Sequence, residues 1–414
     1  MDSDAPRPTT TDLEAPPARG VAPTPPARLA RRLRRILSLE DLEPAARGFL
    51  PRPVFEFVSG GVESNASRAD NRAAFAELGF VPRVLTDVSR RSQATNLFGR
   101  TYAAPFGLAP MGMSALAAYR GDLVLARAAA AANLPMIMSG SSLIPLEDVA
   151  REGRTAWFQA YLPGEPERIL ALVDRVERAG FDTLLLTVDV AVSANRENNV
   201  RAGFSTPLRP NLRLAFDGLI RPRWLLGTAA RTLLRHGTPH FENSYATRGV
   251  PILARNVLRD FGARDHLDWS HLELIRRRWK GRLVIKGIMH KDDARRARES
   301  GADGIIVSNH GGRQLDGTVS PLRVLPEIAA VGGDMPVMFD SGVRRGTDVL
   351  KALALGACFV FVGRPFLYAA AIGGEPGVRR GIDLLSQEID RDMALLGINS
   401  LAEMRPELLM RIGR

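Results

Sequence analysis

The sequence predicts an α/β fold, a closed (β/α)8 barrel of the TIM type, and three observations predict it. From residue 105 onward eight short apolar runs recur, at 106–111, 135–139, 157–162, 183–190, 283–287, 304–309, 336–342 and 358–363. Each run ends in small or polar residues, and a stretch rich in Ala, Leu, Glu and Arg follows it. Alternating strand and helix calls for parallel strands, and eight such units close on themselves. No Gly-x-Gly-x-x-Gly fingerprint follows the first run, which argues against an open dinucleotide-binding sheet and against NAD.

The chain of 414 residues suffices for one large barrel with extensions, although length alone also allows two or three domains. Residues 1–27 are rich in Pro, Thr, Ala and acids without periodicity and are expected to form a disordered tail. The barrel domain then occupies residues 28–414. Over 27–39, Leu29, Leu33, Ile36 and Leu37 recur at helical spacing among arginines, giving a short basic amphipathic helix. Docking on the barrel accounts for it, with a membrane-surface role as the alternative. Residues 54–61 and 71–80 read as helix, glycine stop, helix.

The connection between Val190 and Leu283 is far longer than the others and defines an insert at about 205–265. In its middle, 219–237, Trp224, Leu225, Leu226, Leu233 and Leu234 alternate with Arg221, Arg223, Arg231 and Arg235. A loop of this length is usually functional or disordered. Apolar side chains and tryptophan among arginines suit an anionic membrane surface. A lid packed on the barrel mouth or on a neighbouring subunit accounts for the pattern equally well.

Apolar residues make up 45% and charged residues 24%, as in ordinary soluble domains. The net charge of +11 allows anionic small molecules, nucleic acid or an anionic membrane as partners. Nucleic acid is disfavoured: the arginines are dispersed, aromatics are only 6%, and no binding motif is present. Cys358, the single cysteine, leaves no disulfide and no cysteine-based zinc site within one chain, and no metal is expected. No apolar stretch reaches the roughly 18 residues of a spanning helix. Arg31, Arg32, Arg34 and Arg35 suggest a twin-arginine export signal, but Glu40, Asp41 and Glu43 follow in place of an apolar core. A cytoplasmic protein is expected.

The residues that carry chemistry stand at the ends of the runs. In 301–317, Ile305, Ile306 and Val307 lead without a break into Ser308, Asn309, His310, Gly311, Gly312, Arg313, Gln314 and Asp316. A structural turn explains a lone histidine, but it has little use for His, Arg and Asp together. Gln159 and Tyr161 end the third run; Thr187 and Asp189 end the fourth, with Arg196 beyond. Lys286 ends the fifth, Asp340, Gly342 and Arg344 close the seventh, and Gly363 and Arg364 close the eighth. In a barrel these converge on the carboxyl-end face, where such folds keep their active sites. Glycine amides with arginines after strands seven and eight suit a phosphate.

The run SNHGGRQLDG, 308–317, resembles the active-site signature of the FMN-dependent 2-hydroxy acid dehydrogenases and oxidases, and the similarity covers roughly residues 35–410. The resemblance implies oxidation of an L-2-hydroxy acid, mandelate- or lactate-like, to the 2-oxo acid. That reaction removes two electrons and two protons, and side chains cannot take the electrons, so a cofactor must. FMN fits, with one phosphate and no adenine half. Ala109, Pro110 and Met111 are expected beside its ring system. Ser139, Gln159 and Thr187 are expected to hydrogen-bond it, with Lys286 at the pyrimidine edge. Ser308, Asp340, Gly342, Arg344, Gly363 and Arg364 complete the cofactor set. For the substrate, Arg313 and Arg196 are expected on the carboxylate, where a planar guanidinium gives a bidentate fit. Tyr161 is expected on the hydroxyl, and His310 as the base for the α-proton or the hydroxyl proton, oriented by Asp189.

One departure from the family is plain. Its Tyr-Asp-Tyr element is Phe55, Glu56 and Phe57 here, so the position of the second tyrosine lacks a hydroxyl. One carboxylate donor is absent, or another group supplies it. The electron acceptor is expected to be a membrane quinone. Gly112 stands where the family's oxidases often carry Ala, and the insert, with its PRW and RHG elements, resembles the membrane-attachment segment of the family's mandelate-oxidising members. The alternatives are a soluble oxidase that makes H2O2 from O2, and a flavin-binding protein without turnover. A homotetramer, peripheral on the cytoplasmic face of the inner membrane, completes the expectation.

Overall fold

A computed structural model describes residues 27–205, 208–209, 212–254 and 264–412. The expected tail therefore lies outside the described residues up to position 26, and parts of the insert do so as well. Eight parallel strands close a barrel in chain order: Phe106–Leu108, Met136–Ser139, Ala156–Ala160, Thr183–Thr187, Arg282–Ile288, Gly304–Val307, Val337–Asp340 and Phe359–Val362. Each falls within or overlaps an expected run. The eighth strand pairs with the first through Val360 opposite Phe106, which completes the ring.

Two apolar layers hold the barrel. Inside, Ile137, Trp157, Leu185, Val284, Ile306, Met338, Phe359 and Phe361 fill the cylinder. Leu97 and Tyr102 join them from a hairpin, Thr95–Leu97 with Arg100–Tyr102, that plugs the amino-end face. Phe98 at its tip lies 5.8 Å from Trp157. With that end closed, ligands enter from the carboxyl end. Outside, the larger core lies between strands and surrounding helices and includes Phe106, Phe158, Phe339 and Phe366.

Two local expectations need correction. The helix expected over 71–80 ends at Ala76, and Leu78–Phe80 is instead a strand antiparallel to Leu409–Arg411. A partner more than three hundred residues away leaves no trace in the local pattern. The amphipathic helix expected over 27–39 is Ala27–Arg34; a new turn, Leu39–Asp41, begins behind Ser38. Asp41 causes the break by accepting from the amides of Leu37 and Ser38, at 2.8 and 3.0 Å.

The middle of the insert is helical from Pro222 to His236, with a π-helical stretch at Leu225–Ala230. Trp224 is an anchor to the barrel: its indole Nε1 donates to the Leu116 carbonyl at 2.7 Å. Leu226 and Leu234 point outward, 68% and 86% exposed.

Candidate active site

The sixth strand delivers His310 to the barrel mouth, and two ties fix the loop that carries it. Asn309 and Asn71 exchange amide hydrogen bonds at 2.8 and 2.7 Å in a buried pair. Asp316 turns away from the mouth and accepts from the Ser64 and Ser67 amides at 2.9 and 3.0 Å, capping the helix Ala66–Ala76. Burial raises the Asp316 carboxyl, but the hydrogen bonds from Ser64 and from backbone amides outweigh it and bring it down to about 2. The aspartate of the signature is therefore a clamp. Gly312, at φ +71°, packs against the same helix; a Cβ there would meet the Arg68 backbone nitrogen at 2.6 Å.

His310 has φ +59°, an uncommon setting for a side-chain-bearing residue that the clamped loop maintains. Its Nδ1 lies 3.0 and 3.2 Å from the two carboxylate oxygens of Asp189. The carboxylate can only accept, so Nδ1 carries the proton and Nε2 is left with a free lone pair. Burial holds the imidazole below its ordinary value, opposed by Asp189 and assisted by Lys286 and Arg196. Burial pushes the Asp189 carboxyl up, but His310 and Lys286 outweigh it and keep it ionised. The pair is a neutral base with an anionic orienter.

Asp189 reaches His310 because the fifth strand yields to it. The register slips between Lys286 and Ile288, and Gly287 bulges at φ +107°. A Cβ on Gly287 would sit 2.8 Å from both Cβ and Cγ of Asp189. Gly287→Ala is expected to displace the carboxylate and lower flavin reduction by about 10²-fold, since misplacement near 1 Å costs that much. Rapid-mixing absorbance at the flavin band checks it; wild-type rates would show that the close approach is unimportant.

His310 opens onto a cavity of about 610 Å³ at the barrel mouth, a size typical of ligand sites. Tyr161, Arg196 and Arg313 line it, as do Ala109, Pro110, Met111, Gly112, Thr187, Lys286, Asp340, Gly342, Arg344, Gly363 and Arg364. Asp189, Ser139, Gln159 and Ser308 stand one layer behind the wall. Ser308 accepts from the Lys286 ammonium at 2.6 Å and from the His310 amide at 3.0 Å. Ser139 donates to Gln159 Oε1 at 3.2 Å. Gln159 Nε2 is buried without a hydrogen-bond partner among the described residues.

The cavity is cationic. Lys286 pairs with Asp340 at 3.0 Å, both nearly buried. Burial lowers Lys286, but Asp340 and Asp189 outweigh it and raise its pKa, so it remains an ammonium. Arg196, Arg313, Arg344 and Arg364 are all lowered, burial being the largest cause in each, with Arg364 at about 10. Arg196 and Arg364 also act on Arg313 as like charges. Among the described residues none of these four guanidiniums forms an ion pair with a carboxylate; their partners are neutral oxygens. Arg313 donates to the carbonyls of Val58 and Gly60 at 3.3 and 2.8 Å. Arg364 spans Val58, Gly311 and Gly60 carbonyls at 3.1, 3.0 and 3.0 Å. Arg344 donates to its neighbour's carbonyl, Val343, at 2.8 Å. Partly desolvated guanidiniums that no carboxylate pairs directly call for anionic ligands.

Several residues at and behind the wall take roles that the sequence does not assign. Gln314 accepts from Arg196 Nη2 at 3.0 Å and donates to the Asp189 carbonyl at 2.9 Å, linking the two. Its place in the His310 loop was the only clue. Phe204, from the loop after the fourth strand, stacks on Phe57 with centroids 4.6 Å apart. Phe57 in turn lies under Arg313, whose guanidinium is 5.4 Å from the ring centroid. Arg264 sits 5.1 Å over the Tyr161 ring. Burial, with Asp189, raises Tyr161 and keeps its hydroxyl protonated.

A family model described as FMN-dependent dehydrogenase matches residues 46–411. The (S)-mandelate dehydrogenase of Pseudomonas putida is 37% identical over 91% of this chain and 95% of its own. An L-lactate dehydrogenase of Xanthomonas campestris pv. campestris is 39% identical over 92% of this chain and 98% of its own. A solved structure described as monotopic membrane protein (S)-mandelate dehydrogenase superimposes with a TM-score of 0.82 at 35% identity, covering 91% of this chain and 99% of that one.

Proposed function

This chain belongs to the FMN-dependent dehydrogenases, and from that premise we propose that it oxidises an L-2-hydroxy acid with an aryl or other bulky apolar side chain and passes the electrons to a membrane quinone. It is an FMN-dependent 2-hydroxy acid dehydrogenase. The observation that carries the reading is the set of half-buried guanidiniums, none of them ion-paired to a carboxylate among the described residues, around a neutral His310 imidazole held by the Asp189 carboxylate.

The residues present fit FMN. Gln159 Nε2 lacks a partner one layer behind the wall, and Arg344 and Arg364 lack an anion at the ends of strands seven and eight. Arg344, Arg364 and the amides of Gly342 and Gly363 would hold the phosphate. Thr187, Gln159, Ser139 and residues 109–111 would hold the ring system, with Lys286 supplying positive charge and Ser308 and Asp340 fixing that lysine. FMN, when bound, accepts the two electrons that the substrate loses.

This chain's side chains do the rest. Arg313 and Arg196 hold the substrate carboxylate. Tyr161 donates to the substrate hydroxyl oxygen. His310 Nε2 takes a proton from the substrate, and the imidazolium so formed is stabilised by Asp189. Phe57 and Phe204, with Val192 and Val200, give the cavity an apolar side that suits a bulky substituent.

Phe57 offers Arg313 a π-face where a phenol would offer the carboxylate a hydrogen bond. Phe57→Tyr is expected to lower KM for mandelate and lactate roughly 10-fold, the worth of one hydrogen bond to a charged group. Steady-state assays check it; an unchanged KM would show that the carboxylate is fully satisfied without a phenol.

The insert supports peripheral membrane contact: its outward leucines flank Arg221, Arg223, Arg231 and Arg235. Among the described residues no helix is long and apolar enough to cross a membrane. A homotetramer is the assembly this reading carries. The acceptor is tested by reoxidising substrate-reduced protein with a soluble quinone analogue or with O2. Fast reoxidation by quinone with little peroxide is expected; fast reoxidation by O2 with stoichiometric peroxide selects the soluble oxidase.

A further inference from the structure

The helix Ala27–Arg34 stands beside the Phe49–Leu50 corner, to which the start of the helical insert is tied. Its inner side is apolar: Leu33 is buried, and Leu29 and Leu33 pack on Gly373. Its outer side exposes Arg28, Arg31 and Arg34, followed by Arg35 and by Leu37, which is 71% exposed. Arg32 points sideways, its guanidinium 5.8 Å from the Phe49 ring centroid. Its Nε is buried without a hydrogen-bond partner, and Arg32 has no ion pair, among the described residues. The charge that acts on it comes from Arg223 of the insert.

Arg223 of the insert acts on Arg32 as a like charge. Burial and Arg223 both lower the pKa of Arg32, so the pairing disfavours its charged form. A second tie holds the insert in place: Arg221 donates to the Leu50 carbonyl at 3.2 Å, directly after the helix that carries Phe49. The basic N-terminal helix, the Phe49–Leu50 corner and the start of the helical insert form one continuous face. Surfaces of this kind, with several arginines beside outward leucines, match anionic phospholipid.

We propose that helix Ala27–Arg34 is a second membrane-contacting element, which together with the insert binds an anionic phospholipid bilayer. The proposal rests on the reading of the insert as a membrane segment and adds lipid selectivity to it. The insert's leucines supply apolar contact, and the helix supplies the preference for negative charge.

The test uses the full-length FMN-loaded protein and sedimentation with vesicles of phosphatidylcholine, either pure or with roughly a third phosphatidylglycerol. One variant carries Arg28→Gln, Arg31→Gln, Arg34→Gln and Arg35→Gln; a second carries Leu226→Gln and Leu234→Gln in the insert. The wild type is expected to prefer the anionic vesicles. The four-arginine variant is expected to lose on the order of 10³-fold in that binding while its flavin spectrum and turnover with a soluble acceptor stay unchanged. If it binds as the wild type does while the insert variant is released, the helix is not a contact and the proposal falls, but the insert reading survives. Equal wild-type binding to neutral vesicles overturns the lipid selectivity. If the wild type binds neither vesicle, the insert reading falls as well.

Discussion

Replacing His310 with glutamine is expected to slow anaerobic flavin reduction by about 10²–10⁴-fold, the usual contribution of a positioned general base, with FMN still bound. Glutamine keeps a polar side chain beside Asp189 but has no nitrogen that can take a proton. Rapid-mixing absorbance gives the reduction rate and the flavin spectrum gives occupancy. A loss of less than about 10-fold would remove His310 from the proton step. The wild-type pH profile should agree. Burial depresses the His310 pKa, and the base works in its neutral form. kcat/KM is therefore expected to stay level from neutral pH down past the ordinary histidine value of about 6.5 and to fall only on the more acid side. Stability follows the same sign. A depressed pKa contributes stability that is present above the ordinary value and lost as pH falls through the folded one.

Lys286→Met is expected to have the largest combined effect on stability and cofactor. It leaves Asp340, 9% exposed at the side chain, as a buried carboxylate without its ammonium 3.0 Å away. Removing one partner of a buried ion pair costs about 3–5 kcal/mol. The same substitution removes the ammonium that faces the proposed ring site and frees the Ser308 hydroxyl. A lower thermal midpoint and weaker FMN retention are expected together, measured by calorimetry and by flavin release on dialysis. Double replacement of Lys286 and Asp340 by apolar residues should restore much of the midpoint without restoring FMN. If the single variant retains both its midpoint and its flavin, Lys286 has neither role.

Much of this architecture was legible because barrel strands advertise themselves. The run Gly304–Val307 is buried throughout, so its sequence is apolar throughout, and polarity begins where the strand meets the mouth. The same logic exposed Thr187, Lys286 and Asp340. What stayed hidden depended on contacts between distant segments. Leu78–Phe80 becomes a strand only because Leu409–Arg411 lies beside it. Asp316 shares a loop with His310 yet serves the helix Ala66–Ala76, a distinction made by the Ser64 and Ser67 amides. Phe204 and Arg264 stand at the flanks of the insert, while Gln314 takes its place by joining Arg196 to the Asp189 carbonyl across the mouth. The substitution at Phe57 was visible as a missing hydroxyl; its compensation, a stack with Phe204 under Arg313, required the fold.

The central claim is that His310, Asp189, Arg313 and Arg196 act together on a 2-hydroxy acid over FMN. Mixing the yellow protein anaerobically with (S)-mandelate, L-lactate and their opposite enantiomers, and following the flavin band, tests it most directly. Rapid bleaching by an L-configured acid, fastest with the aryl substrate and absent with the opposite enantiomer, is the expected result. A flavin that stays oxidised with every acid, or protein that takes up no FMN, would contradict the account.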